Sequence, residues 1–202
     1  LEKKFPRLEV IPHQGDFTDK KDLKKLPLVE EDTEQRLVFF PGSTIGNFSP
    51  HEATEVLSNL RLLAGENGLV LVGVDMLKNR DRLLAAYDDS LGVTAEFNKN
   101  LLVRINRELS ADFDIEEGFD HRAVFNEEAS RIEMHLVANK DQQVAIRDEV
   151  FEFKQDESIH TENSHKYSQQ MFVDMALEAG LKNVRNWTDA QADFALFLLR
   201  PA

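Results

Sequence analysis

The chain has 202 residues, with 37 Asp and Glu against 24 Lys and Arg, a formal net charge of -13, no cysteine and 42% hydrophobic residues. That composition describes a globular, strongly acidic protein for which nucleic acid and anionic membrane surfaces are poor partners: the charge repels a phosphate backbone, and no basic run interleaved with aromatics offsets it. Without cysteine there is no disulfide framework, thiolate metal site or cysteine nucleophile, which suits a cytoplasmic setting, and no apolar run reaches membrane-spanning length.

Leu1-Glu2-Lys3-Lys4-Phe5-Pro6 is not a signal peptide, and without an initiator Met the chain is expected to be a piece of something longer. Residues 7–17, ending in Gly15-Asp16-Phe17, read as a short strand closed by a polar turn, followed by a charged loop through Asp32. Leu37-Val38-Phe39-Phe40, stopped by Pro41-Gly42, has the continuous apolar character of a strand buried in a parallel sheet. Ser49-Pro50-His51-Glu52 supplies a capping serine, a first-turn proline and a capping-box glutamate. Ala53, Val56, Leu57, Leu60 and Leu63 then mark one face of an amphipathic helix that closes near Gly65, and Leu69–Val74 forms a second buried strand ending at Asp75.

Strand, helix, strand in this order is a parallel crossover, which argues an open α/β sheet with its ligands at the carboxyl ends of the strands. Here those ends are Gly15-Asp16-Phe17, Pro41 to Asn47, and Asp75-Met76. From Leu77 to Lys166 the pattern changes to two helices, 79–89 and 94–109, and then to alternating segments. Ile132, Met134 and Leu136 face one way and Glu133 and His135 the other, with 124–125, 144–146 and 150–153 expected as neighbouring strands. The expected division is a core of residues 1–76 and 167–202 and an inserted α+β subdomain of residues 77–166. A helix at 168–179 and a pair of strands, 184–188 and 194–199, complete the core, the last strand running antiparallel.

The nine glycines include no Gly-x-Gly pair, so the loop that cradles a nucleotide-like cofactor after the first strand of a doubly wound sheet is missing. The six histidines never take metal-ligand spacing, and no metal site is expected. His160 and His165, flanking Glu162, read as surface residues. Asp88-Asp89 and Asp112-Phe113-Asp114 read first as helix caps and turns, with cation binding the minor alternative. Two stretches stand out. Phe39 to Phe48 packs two glycines, two hydroxyls and an amide into a turn at a strand's carboxyl end, where a ligand can approach closely. His160 to Tyr167 is a polar run leading into a helix, and by itself reads as a helix-entry loop.

The segments Phe40 to Phe48, Tyr87 to Asn100, Asn106 to Asp114 and Arg131 to Met134, in order and spread over nearly the whole chain, closely resemble the histidine Nα-methyltransferases of ergothioneine biosynthesis. The resemblance implies a class I, Rossmann-like methyltransferase fold with an inserted amino-acid-binding domain, and threefold methylation of the α-nitrogen of L-histidine by S-adenosyl-L-methionine to give hercynine. It implies adenine contacts at Asp16 and Phe17 and a loop between cofactor and substrate at Gly42 and Ser43. It assigns the substrate's amino and carboxylate groups to Asn47 and Tyr87, the imidazole to Glu162 and Ser164, and the pocket walls to Thr44, Thr94, Phe97 and Met134. Family members carry a further N-terminal segment with the glycine-rich cofactor loop, the acidic ribose-binding residue and two substrate tyrosines. This chain has none of these, so it is expected to be the C-terminal part of the enzyme, inactive alone, with an open sheet edge that a second copy can cover.

The residues are consistent with that chemistry. Methyl transfer to an amine is an in-line displacement needing neither metal nor covalent intermediate, so position carries the catalysis. Asn47 and Tyr87 can orient a substrate without adding an anion that would hold the amine protonated, and Glu162 with Ser164 can read both ring nitrogens. Two other readings stand beside it: a different amino-acid or small-amine acceptor, and a non-catalytic binding or oligomerisation module.

Overall fold

A computed structural model describes residues 4–26 and 36–202, so Leu1–Lys3 and the part of the charged loop from 27 to Asp32 lie outside the described residues. Among the described residues, the only regular element before the sheet is one helical turn, α1 (Lys20–Leu23), whose cap Asp19 accepts from the Lys21 amide. The strand expected over 7–17 is not assigned: these residues are exposed and lie outside the sheets formed by the described residues. An apolar-polar alternation makes a strand only where a neighbour takes up the backbone hydrogen bonds.

The crossover unit forms as the pattern predicts. β1 (Leu37–Phe40) lies parallel to β2 (Leu69–Asp75), with Leu37 opposite Leu69 and Phe40 opposite Val72. Between them runs α2 (Pro50–Ala64), opened by the full capping box: Ser49 Oγ accepts from the Glu52 amide and Glu52 Oε2 accepts from the Ser49 amide. Its Ala53, Val56, Leu57, Leu60 and Ala64 are buried. Far along the chain, α5 (Gln169–Glu178) returns to this sheet, followed by β8 (Leu181–Thr188) and β9 (Phe194–Pro201). The sheet order is β1-β2-β9-β8, with β9 antiparallel to both neighbours. α2 and α5 share one apolar cluster with the sheet, in which the Phe172 and Phe197 rings meet at 4.5 Å. Each such buried ring contributes roughly 2–3 kcal/mol of transfer free energy.

Residues between β2 and α5 build a different layer. α3 (Arg80–Tyr87) and α4 (Val93–Leu109) precede β3 (Phe119–Asn126), β4 (Arg131–Ala138), β5 (Gln142–Ile146), β6 (Glu149–Phe153) and β7 (Ser158–His165). β3-β4-β7 is an antiparallel sheet, and β5-β6 is a hairpin of its own. Two expectations are corrected here. Residues 144–146 and 150–153 pair with each other and not with β4; their hairpin closes over a second apolar cluster that includes Leu102, Phe113, Phe119 and Leu136. The polar run 160–165 is strand β7 and not a loop, because β4 supplies its hydrogen-bond partners whatever its side chains are. Met76 bridges Tyr167 in parallel, so the chain leaves β2 and re-enters before α5 at adjoining points. No helix among the described residues is long and apolar enough to cross a membrane.

Candidate active site

Three segments converge near the carboxyl end of β2: the turn after β1, the C-terminal half of β7, and the end of α3. After Pro41 the backbone passes through left-handed conformations at Gly42 (φ +76°) and Ser43 (φ 57°) into a 3-10 turn, Thr44–Asn47. Ser43 is held in this uncommon conformation by its hydroxyl, which accepts from the Asp75 amide at 2.8 Å. Gly46 presses against β7: a Cβ there would lie 2.8 Å from the His165 carbonyl oxygen. His165 Nδ1 donates to the Gly46 carbonyl at 3.0 Å and the Tyr167 hydroxyl to that of Ile45 at 3.4 Å, so the turn is clamped to the strand end. The expectation of a surface His165 is corrected: it is buried, and that burial lowers its pKa.

On β7 the pairing with β4 slips between Met134 and His135, leaving Thr161 as the extra residue, its hydroxyl donating to the Met134 carbonyl at 2.9 Å. This bulge puts Glu162 opposite Met134 and Ser164 opposite Ile132, so Glu162 and Ser164 share one face. Asn47 and residues His160 to Asn163 line an open cleft of about 280 Å³. Burial pushes the Glu162 carboxyl upward, and the Lys166 charge pulls it back in part.

Behind this cleft lies a cluster that sequence reasoning missed. The Lys166 side chain is 0% exposed, and its Nζ donates to Tyr87 Oη, Ser164 Oγ and Asp75 Oδ2, each at 2.7 Å. Tyr87 Oη and Ser164 Oγ are themselves 2.8 Å apart. Asp75 also holds Lys78 at 2.6 Å. The only sequence signal was a lysine two residues after Ser164, at the close of a polar strand. Tyr87 is fixed from behind: its carbonyl accepts from His121 Nε2 at 2.7 Å, which leaves His121 Nδ1 to accept from the buried Asn98 at 3.0 Å.

Thr94 and Phe97 lie at the start of α4. Asp89 accepts from the amides of Thr94 (2.8 Å) and Val93 (3.1 Å), and those bonds hold its carboxyl down at about 2. Asp112 accepts from the Ala145 amide and Asp114 from that of Glu117, so these aspartates serve turns and strand ends. Phe97 is 64% exposed, and among the described residues no hydrogen bond or ring contact joins it or Thr94 to Glu162 or Ser164. Met134 is buried across the pair from Glu162.

At the other side of the turn, Asp16 Oδ1 accepts from the Thr18 amide (2.8 Å) and hydroxyl (2.7 Å), which lowers its pKa. Phe17 packs edge-on against Phe40 (5.5 Å) and Phe48 (6.1 Å), and with Asp16, Phe39, Phe40 and Leu60 borders an apolar hollow of about 300 Å³. A carboxylate beside an aromatic-walled hollow fits a flat, hydrogen-bonding ring such as a purine. Separately, ligand atoms of Glu133, His135 and His160 come within 4.8 Å of one another, a grouping hidden in the sequence because β4 and β7 bring it together. Arg131 and Asn126 already occupy Glu133 Oε1 there, at 2.7–2.9 Å.

Residues 1–201 match the family model described as a histidine-specific, SAM-dependent methyltransferase. A histidine N-alpha-methyltransferase of Mycolicibacterium smegmatis is 42% identical over 96% of this chain and 59% of its own length. That of Mycobacterium tuberculosis is 38% identical over 98% and 60%, so the chain spans about 60% of the length of these relatives. Ergothioneine biosynthesis protein 1 of Neurospora crassa is 31% identical over 92% of this chain and 20% of its own length.

Proposed function

The chain belongs to the histidine-specific, S-adenosylmethionine-dependent methyltransferase family, and from that premise we propose that the complete protein methylates the α-amino nitrogen of L-histidine three times to give hercynine, in ergothioneine biosynthesis. The observation that carries this is the placement of Glu162 and Ser164 on one face of β7, beside the cleft that Glu162 shares with Asn47. An acceptor and a hydroxyl two residues apart along a strand stand about 7 Å from each other. That leaves room for an imidazole with one hydrogen bond at each nitrogen.

S-adenosylmethionine, when bound, supplies a methyl group made electrophilic by its sulfonium. Asp16 would accept from the adenine amine and Phe17 would cover the ring, while Gly42 and Ser43 would border the passage to the substrate. Asn47 orients the substrate's α-amino and carboxylate groups together with Tyr87, whose hydroxyl also joins the Ser164 end of the site. The attacking amine must be neutral; a peptide α-amino group has a pKa of about 8, and the carboxylate of a free amino acid makes its amine more basic still, so the site has to favour the unprotonated form. Asn47 and Tyr87 add no negative charge that would keep it protonated. Met134 lies opposite Glu162 across the β4–β7 pair, and Thr94 and Phe97 on α4 are assigned to the pocket walls by the family resemblance.

The inserted part, 77–166, supplies Tyr87, Glu162 and Ser164 to the substrate, while the core, 1–76 and 167–202, supplies Asn47 to it and carries the cofactor groups. The supporting observation is the separation of β1-β2-β9-β8 from β3-β4-β7, each with its own apolar cluster. A cytoplasmic location and a small-molecule partner, without nucleic acid or membrane, complete the proposal. Incubating the complete protein with S-adenosylmethionine and a panel of amino acids tests it. Mono-, di- and trimethylated histidine should accumulate, and methylation of another amino acid in preference to histidine would overturn it.

A further inference from the structure

Lys166 lies on no path that the proposed chemistry requires, yet it is 0% exposed and spends all three ammonium hydrogens inside the site. Two of them go to the hydroxyls of Tyr87 and Ser164. Those two oxygens together offer two hydrogens and four lone pairs. Lys166 takes one lone pair on each, and the 2.8 Å bond between them uses one hydrogen and one further lone pair. One hydrogen and one lone pair remain, necessarily on different oxygens. A phenol is the better donor of the two, because its lone pairs are partly delocalised into the ring, so Tyr87 donates to Ser164. The Ser164 oxygen is then saturated as an acceptor, and its own hydrogen is what it has left to give.

Resting on the histidine proposal above, we infer that Lys166 is a positioning residue that makes Ser164 donor-only, so that the site selects a neutral imidazole with its bare nitrogen toward Ser164 and its N–H toward Glu162. Without Lys166, Ser164 could equally accept from a ring N–H, and the polarity of recognition would be lost. The third hydrogen bond, to Asp75 Oδ2, ties this device to the end of β2, where the Asp75 amide also holds Ser43. The Asp75 carboxylate thus holds the ring reader, while its backbone amide, fixed by the pairing of β2 with β9, holds the turn on the cofactor side independently of Lys166.

The test is a double-mutant cycle on the complete protein, titrating L-histidine in the presence of S-adenosylhomocysteine and, separately, the cofactor alone. Lys166→Met should weaken histidine binding by about ten- to a hundred-fold while cofactor affinity stays within about twofold. In a Ser164→Ala background the same substitution should cost less than about threefold, because the group through which Lys166 acts is gone. Lys166→Gln, which keeps two N–H donors, should recover part of the histidine affinity; if the Met variant does not fold, the cycle is run with Gln. Equal costs in both backgrounds, or a parallel loss of cofactor affinity, would assign Lys166 to structure alone and overturn the inference. A native protein that binds no histidine would sink the histidine proposal and this inference with it. Tight histidine binding by both native protein and Lys166→Met would sink only the latter.

Discussion

At Glu162 a carboxylate is kept half-buried beside a cleft, and its burial raises its pKa above the ordinary value of 4.5. A group raised in the folded state stabilises the fold below its unfolded pKa, and that contribution is lost as pH rises through the folded value. At neutral pH Glu162 therefore costs stability, as functional groups often do. Glu162→Gln is expected to raise Tm by about 1–4 °C at pH 7, with the gain vanishing below about pH 4.5; calorimetry at the two pH values checks the sign. Glu162→Ala in the complete protein should weaken histidine binding by about ten- to a hundred-fold and leave cofactor affinity unchanged. Equal losses of both would indicate a folding defect. Glu133 is the opposite case. Burial alone would push its carboxyl up, but bonds from Arg131, Asn126 and His135 outweigh it and bring it from 4.5 to about 2. Its contribution is present above the unfolded value and lost as pH falls toward about 2. Glu133→Gln should thus destabilise on the order of 2 kcal/mol at pH 7, the difference shrinking in acid denaturation profiles as pH drops through that window.

The elements matter through two local irregularities. The bulge at Thr161 is what turns Glu162 and Ser164 to the same face as Met134 and Ile132; a regular strand continuing from Ile159 would point them away. The 3-10 turn must then lie directly on the end of β7, which Gly46 permits. Gly46→Ala would put a methyl 2.8 Å from the His165 carbonyl, and neither backbone can yield without moving Asn47 or the strand. The expected result is a loss of about 1–3 kcal/mol, read from urea unfolding, with a fall in histidine affinity larger than any change in cofactor affinity. A variant with unchanged stability would show that the turn relaxes away from β7.

Over the whole molecule, the proposed cofactor side rests, among the described residues, on Asp16 with Phe17 and on the Gly42-Ser43 turn. Fewer fixed polar contacts leave the entropy of binding unopposed. This chain alone is therefore expected to bind S-adenosylmethionine weakly or not at all by calorimetry, and micromolar affinity would show that these contacts suffice. Among the described residues β1 is an edge of its sheet, and it carries Leu37 and Phe39 at 57% and 59% exposure. An apolar edge with unpaired backbone groups invites a further strand. Sedimentation of this chain should accordingly show association that grows with concentration, opposed at low salt by its charge of -13.

The local and periodic features were legible in the residues themselves. Ser49-Pro50-His51-Glu52 specified the start of α2 through backbone capping, the runs at Leu37 and Leu69 specified parallel strands, and Ile132, Met134 and Leu136 specified the inner face of β4; the burial expected for the Leu37 run is not met, because β1 ends the sheet and leaves Leu37 and Phe39 exposed. The family resemblance assigned the proposed site residues one by one, and the binding measurements on Glu162 and Lys166 variants test that assignment. Contacts between distant segments were decided only by tertiary structure. Whether 7–17 becomes a strand depends on a neighbour, and whether 160–165 is loop or strand depends on β4, because sheet hydrogen bonds are made between segments and leave no trace in either one alone. The burial of Lys166 is of the same kind. A lysine at a strand end reads as solvated until Tyr87, Ser164 and Asp75, brought from three elements, supply the acceptors that make its burial affordable.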